Sequence, residues 1–273
     1  MSEFQLNSRE LLFLAALTGA EQLYGIPDGF FGMDDSETAR EIYNLRDRLE
    51  KKGLANTDFN GNFIPDAGLI SLIESCSGCE RFISFEKTGK KTEPVRMMFY
   101  LNGQTAVKIE QVFEDFSLGS VEQSDIKRMI LEKIDRKDSE QKSSMESVSI
   151  SNDALNRIKG FAYDGFNGKA GKLAEKELQN LGCSKSLSAL IYSGLAGESA
   201  YLSVTAVDFE REDDGVFGIM ALNSKDGSLE LLPVYVGQDD GVRFSGISQS
   251  VFEAKINGAL SSVGIPVDGC DFA

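Results

Sequence analysis

The stretch Val95-Arg96-Met97-Met98-Phe99-Tyr100-Leu101-Asn102-Gly103-Gln104-Thr105-Ala106-Val107-Lys108-Ile109 decides the fold class. Residues 95–101 are apolar apart from Arg96, a run of strand length. Asn102-Gly103 is the dipeptide of a type I′ turn, and residues 104–109 leave it in an alternating pattern. A further strand signal, residues 81–86, stands just before, so the segment reads as an antiparallel meander. It closes with a helix over residues 121–134, whose Ile126, Met129, Ile130 and Ile134 fall on one face.

Working back toward the start, helices precede the meander. Asn7 as N-cap with Glu10 three residues on forms a capping box for a helix carrying Leu11, Leu14, Ala15 and Leu17. Gly25-Ile26-Pro27-Asp28-Gly29 breaks it. Asp34-Asp35-Ser36 opens a second helix with Ala39, Ile42, Leu45 and Leu49 inward, ending in Lys51-Lys52-Gly53. Residues 54–64 read as a small hairpin around a type I′ turn at Asn60-Gly61, and Pro65-Asp66 starts a third helix with Leu69, Leu72 and Ile73. Helix, helix and hairpin in this order outline a winged-helix-like N-terminal portion.

Working forward, residues 135–147 are charge, serine and glutamine apart from Met145, the composition of a linker. The expected organisation is an N-terminal α+β unit over residues 1–136, a linker over 137–148 and a C-terminal α+β unit over 149–273. The second part repeats the plan. Helical signals around Ala154, Ile158 and Phe161, over 173–181 and over 187–191 precede strands at 201–209, 216–222 and 229–236, then a helix at 248–260. Ser120-Val121-Glu122-Gln123-Ser124-Asp125-Ile126 and Gly246-Ile247-Ser248-Gln249-Ser250-Val251-Phe252 share one rhythm before the closing helices. The fold expected is α+β, a pseudo-two-fold duplication of helices plus antiparallel meander whose two copies share a central sheet.

Composition narrows the function. At 273 residues, 41% apolar and 26% charged, the chain can bury roughly 75% of its unfolded surface without disulfide or metal. Its formal charge of −15, from 43 acidic and 28 basic side chains, is repelled by phosphate backbones and anionic lipid, so neither nucleic acid nor membrane is expected as a partner. The apolar stretch 11–17 is too short to span a bilayer, and the residues before it lack a signal peptide's cationic character, which places the chain in the cytoplasm. Histidine is absent, removing the commonest general base and metal ligand. Cys76 and Cys79 form a C-x-x-C, but it follows a helical run, and Cys183 and Cys270 stand alone, so no zinc or redox site is expected. No catalytic residue, cofactor or metal is assigned.

Three further stretches carry a functional and a bland reading. Residues 165–172 end in Gly171-Lys172 but hold Phe166 where a phosphate loop needs its first glycine and Leu173 where it needs Ser or Thr, so a helix connection is favoured. The helix over 36–52 carries Arg40, Arg46, Arg48, Lys51 and Lys52 against Glu37, Glu41, Asp47 and Glu50, which leaves no basic stripe for DNA. The acidic run Glu210-Arg211-Glu212-Asp213-Asp214-Gly215 lacks calcium-loop spacing and reads as a hairpin tip, the kind of place where partner contacts are carried. Glu210, Glu212, Asp213, Asp214, Val216 and Phe217 are the candidate partner-binding residues. The matching loop 87–93 in the first half is mostly basic.

Taken together the residues resemble the EspG family, cytosolic substrate chaperones of type VII secretion systems. The resemblance is carried by Phe4-Gln5-Leu6 before a capped helix, the helix end from Leu49 to Lys52-Gly53-Leu54, Asn62-Phe63-Ile64-Pro65-Asp66 leading to Leu69-Ile70-Ser71-Leu72-Ile73, and the strands 201–209 and 216–222 with the helix 248–260. It implies a pseudo-symmetric α+β fold, no catalysis, and the holding of a helical secreted protein or heterodimer before export. Homodimerisation is left open. Val95, Met97 and Phe99 share the relevant strands with Val216 and Phe217, and most of these are expected to be core. The alternatives are a winged-helix DNA-binding regulator and a small-molecule-binding module.

Overall fold

The computed structural model describes residues 3–20, 22–90, 93–134, 146–164, 168–211, 215–224 and 227–267. They form an α+β fold in two compact units, one of Met1–Ser84, Arg96–Arg128 and Ala206–Gly215, the other of Phe85–Val95, Met129–Thr205 and Val216–Ala273.

The first unit begins with β1 (Phe4–Asn7) and α1 (Ser8–Leu17). The capping box is present: Asn7 Oδ1 accepts the Glu10 N–H and Glu10 Oε2 accepts the Asn7 N–H, both at 2.9 Å. Then come α2 (Asp35–Lys51), the hairpin β2 (Ala55–Thr57) and β3 (Phe63–Pro65), α3 (Ala67–Ser77), and the strands β4 (Arg81–Thr88), β5 (Val95–Asn102), β6 (Thr105–Val112) and β7 (Asp115–Val121), with α4 (Gln123–Lys133) after them. The strand order is β1-β7-β6-β5-β4. One face of this sheet, with Met98 and Tyr100 of β5, Val107 and Ile109 of β6, and Phe116 and Leu118 of β7, packs with Leu11 and Leu14 of α1, Leu45 and Leu49 of α2, and Leu69 and Ile73 of α3. The i, i+4 spacing of those helical leucines turns one stripe of each helix inward.

The C-terminal half of the chain begins with β8 (Ser147–Ser151), α5 (Asn152–Asp164), α6 (Gly168–Asn180) and α7 (Lys185–Leu195), followed by β9 (Ala200–Asp208), β10 (Val216–Ser224), β11 (Gly227–Val236), β12 (Asp239–Ile247) and α8 (Gln249–Ser262). Its strand order is β8-β12-β11-β10-β9. Ile150, Ala154, Ile158, Leu178, Leu187, Ile191, Leu222, Leu229 and Phe244 make its core. Strand, three helices, four strands, helix is thus the element order of both halves, with β2–β3 added in the first. In each, the leading strand pairs antiparallel with the last of the four: β1 with β7, β8 with β12.

Four strands differ from the sequence expectation, and so do three apolar helix positions, since Leu17 of α1 and Ala39 and Ile42 of α2 are exposed rather than inward. β1, β7, β8 and β12 are absent from the meanders as read, because Asp, Ser and Gly dominate β7 (DFSLGSV) and β12 (DDGVRFSGI) and depress strand propensity. Pairing and the burial of Phe116, Leu118 and Phe244 decide otherwise. Val121 ends β7 rather than starting a helix, and Ser147 and Val148, read as the end of the linker, begin β8. Residues 135–145 of that stretch lie outside the described residues. The turns are corrected too. Asn102 pairs with Thr105, so the turn is Gly103-Gln104 with only Gly103 at positive φ (+55°), the pattern of type II′. Gly61 alone is left-handed in the β2–β3 loop, where its N–H reaches Asp58 O at 3.0 Å.

Two features of this frame matter below. The β10–β11 ladder ends at Met220↔Leu231, while β11 stays paired with β12 through to Val236↔Asp239 and carries Pro233 in that last part. And Lys52, the C-cap of α2, donates to Glu10 Oε2 at 2.7 Å, although Glu10 is fully buried and its Oε1 has no partner among the described residues. Lys51, one residue earlier, meets Asp47 on an open surface, with side chains 72% and 56% exposed. Lys52→Ala strands a buried carboxylate and is expected to cost about 1–3 kcal/mol in urea unfolding. Lys51→Ala is expected to cost under about 0.5 kcal/mol.

Candidate functional site

α1 does not bury its whole circumference. Leu11 and Leu14 face the sheet, while Leu12 and Ala16 look onto the chain that leaves the helix. Residues 18–34 have no regular structure, a connection longer than about 12–15 residues and therefore of the kind that carries function. It is pinned to the fold at two points and braced within itself at a third. The Tyr100 hydroxyl, buried in the sheet, donates to Tyr24 O; Arg9 Nε donates to Gly29 O at 2.7 Å; and the Phe30 N–H donates to Asp28 Oδ1 at 2.9 Å. Gly25 has φ +78°, and a Cβ there would fall 2.5 Å from Met98 Sδ, so only glycine lets the loop come this close to β5.

Arg9 also reaches Glu41 of α2 at 3.2 Å, and Arg48 reaches the same oxygen at 2.7 Å. The Arg48 guanidinium beside Glu41 holds its carboxyl below the ordinary carboxylate range against the opposing effect of burial, and Arg9 adds to it. The carboxylate is thereby kept charged, clamping α1 and the loop to α2.

Between α1, the loop and the start of α2 lies a half-open cavity of 620 Å³. Leu12, Phe13, Ala16, Leu23, Ile26 and Ile42 form its apolar wall, and Gln22, Tyr24, Asp28 and Thr38 place polar groups on it. A cavity of this size and lining receives apolar side chains or a small ligand. Tyr24 extends it: its ring stacks on Phe209 at 4.6 Å and tilts against Phe82 at 6.0 Å, with Phe82 in turn against Tyr100 at 5.2 Å. Phe209 stands at the base of the β9–β10 connection, held by its N–H to Glu80 O at 3.0 Å. The Asp208 N–H closes that base on Gly215 O at 2.8 Å.

The candidate residues from the sequence fall unevenly around this site. Glu210 is exposed beside Phe209, its N–H on Asp208 Oδ1 at 3.1 Å. Val216, 60% exposed, and half-buried Phe217 start β10 in the second unit. Glu212, Asp213 and Asp214 lie outside the described residues. Met97 and Phe99 are core, as expected. The cavity itself was missed, although the length of the break after α1 and the aromatic pair Phe30-Phe31 within it were visible signals.

Burial pushes the Cys76 thiol up and Cys79 up to about 11, so neither is a thiolate at neutral pH. Among the described residues no group of His, Cys, Asp and Glu is placed to hold a metal. Three of the four cations within α2 and its C-cap lysine are engaged inside the chain: Arg46 lies over the Phe63 ring at 5.2 Å, Arg48 on Glu41, Lys51 on Asp47 and Lys52 on Glu10. Two lysines of the basic loop are likewise engaged, with Lys87 Nζ donating to Lys133 O at 3.0 Å and Lys90 Nζ to Ala196 O at 2.7 Å, at the C-terminal ends of α4 and α7. No described helix is long and apolar enough to cross a membrane.

No family model and no curated protein matches the sequence. Among solved structures the chain is similar to the type VII secretion system chaperone EspG5 of Mycobacterium tuberculosis, solved in complex with a PE25-PPE41 dimer. The TM-score is 0.59 at 12% identity, over 97% of each chain. The chain therefore shares the EspG-like fold at a distant level, from end to end.

Two outcomes check the site. Gly25→Ala forces a Cβ into Met98 at a left-handed φ and is expected to cost about 1–3 kcal/mol in chemical unfolding. The buried thiols are neutral in the fold, so their contribution to stability is full below the unfolded thiol value near 9.0 and is lost as pH rises toward 11. Correspondingly, peptide mapping after alkylation at pH 8 should show Cys76 and Cys79 labelled far more slowly in the folded chain than in urea.

Proposed function

We propose that this chain is a non-enzymatic cytoplasmic chaperone or adaptor that binds a helical protein substrate of a type VII-like secretion system. The observation that carries the reading is the likeness of fold, over nearly all of both chains, to a secretion chaperone solved with a two-chain partner. The open apolar cavity of the first unit, flanked by Tyr24 and Phe209, supports it as a place where apolar side chains of such a substrate would be received. Glu210, Glu212, Asp213, Asp214, Val216 and Phe217 remain the proposed partner-binding residues of the chain. The recurrent element order and strand order of the halves are read as an internal duplication, with units at residues 1–136 and 149–273.

Co-expression with small helical proteins encoded beside its gene should give one stable heterocomplex on gel filtration. Ile42→Asp, which puts a charge on the cavity wall at a position already 37% exposed, should weaken that complex by at least about tenfold while leaving the fold intact. The free chain should pass through a heparin column unretained, because its net charge is −15 and most cations of α2 are paired within the chain. Failure to retain any neighbouring helical protein, or salt-dependent retention on heparin, would overturn the reading.

A further inference from the structure

Three hairpins whose turn residues are described turn in two residues, and two of them obey the same rule. Asn102 pairs with Thr105 around Gly103-Gln104, and Val236 pairs with Asp239 around Gly237-Gln238. In both, the first turn residue is a glycine at positive φ, +55° and +69°. The third hairpin, β6–β7, pairs Val112 with Asp115 around Phe113-Glu114 and puts Phe113 at that position, with φ +58°. Phe113 is the one non-glycine residue at positive φ among the described residues.

A Cβ in this region meets the neighbouring carbonyl, and a bulky side chain there is an outlier that persists only where something holds it. Folding gives little in return, because Phe113 is 91% exposed and its neighbour Val112 is 45% exposed. The turn is nonetheless braced, since Gln111 Nε2 donates to Phe113 O at 2.9 Å. Glu114 and Asp115 beside the ring are exposed and form no ion pair among the described residues. A strained, braced and solvent-facing aromatic with two free carboxylates is poor economy for stability alone, so its use must lie outside the chain.

We propose that the β6–β7 tip is a docking knob. Phe113 enters an apolar notch between helices of the protein substrate, and Glu114 and Asp115 meet lysine or arginine at the rim of that notch. This rests on the adaptor reading and adds a second contact to the cavity. The choice of a cationic partner follows from charge. The tip presents two unneutralised carboxylates on a chain of net charge −15, and the pair disfavours seating the ring in an anionic lipid surface. The β11–β12 tip carries a related set, with Tyr235 80% exposed and Asp239 and Asp240 next to it, but with the unstrained Gly237 at the turn. Aromatic side chains seated in pockets are the residues that dominate interface energetics.

The test separates stability from binding. Phe113→Asn and Phe113→Gly suit the left-handed turn and should leave Tm unchanged or raise it by about 1–3 °C. Both should weaken retention of the co-expressed helical partner at least about tenfold, and Glu114→Lys with Asp115→Lys should weaken it further at low salt. In cells, p-benzoylphenylalanine in place of Phe113 should cross-link to that helical partner, whereas the same probe in place of Tyr43, another exposed aromatic on α2, should not. A partner held equally well by Phe113→Asn would leave the adaptor reading standing and sink the knob. Absence of an adduct specific to position 113 would sink it whether or not a partner has been isolated. Phe113-dependent sedimentation with vesicles of phosphatidylcholine, or of phosphatidylcholine with phosphatidylglycerol, would replace it with a lipid contact.

Discussion

A carboxylate with no exposed surface ties the first unit together. Glu10 sits in the first turn of α1, accepts the N–H of the last β1 residue and holds the ammonium of the residue that caps α2. Burying that charge is tolerable only because Asn7 and Lys52 answer it. The consequence is geometric: where β1 ends, where α1 begins and where α2 stops are set by one side chain. With both helices fixed at those ends, the chain between them must bridge from Thr18 to Asp34 without regular structure, and the cavity is the space that bridge encloses. The Arg9–Glu41–Arg48 cluster then fixes the helices at their other contact, so the cavity wall is held from two sides by charge and from a third by Tyr100.

Much of this frame could be read from the sequence, and the parts that could not have a common cause. Signals confined to a few neighbouring residues came through. The capping box at Asn7 and Glu10, the Asp34 cap, the glycine that ends α2 and the inward Leu11, Leu14, Leu45, Leu49 and Leu69 all express local chemistry, whereas Leu17, Ala39 and Ile42, read into the same stripes, are exposed. β7 and β12 did not, because their Gly, Ser and Asp residues look like loop until partner strands supply the hydrogen bonds. The cavity is likewise a product of assembly. Leu12, Ala16 and Ile42 are unremarkable positions on two helices until residues 18–34 fold across them. The acidic tip at Glu210 lay near the site, but Tyr24 and Phe209, the rings that link it to the cavity, gave no local sign. Phe113 could not be told from any hairpin aromatic, since its backbone angle depends on the register of β6 on β7.

The distribution of charge supports the same functional reading. Formal charge of −15 says only that the chain is acidic, whereas the structure shows where the few cations are used. Arg9, Arg48, Lys52, Lys87 and Lys90 each hold a carboxylate or a backbone carbonyl at a helix end. At the β6–β7 tip, exposed Phe113 stands beside the exposed Glu114 and Asp115, a combination that favours partners bringing both grease and positive charge.

The β10–β11 ladder stops at Leu231, and among the described residues 232–236 of β11 pair with β12 alone, in a sheet protein that must exist at working concentration beside copies of itself. Such a rim is a template on which identical chains can stitch themselves into polymers. Pro233 lies in the middle of it and has no N–H to offer an incoming strand, so a growing ladder would lose a rung at its centre. A single imino acid therefore acts as insurance against fibre growth, and its removal would be felt first in the shelf life of the protein rather than in its fold.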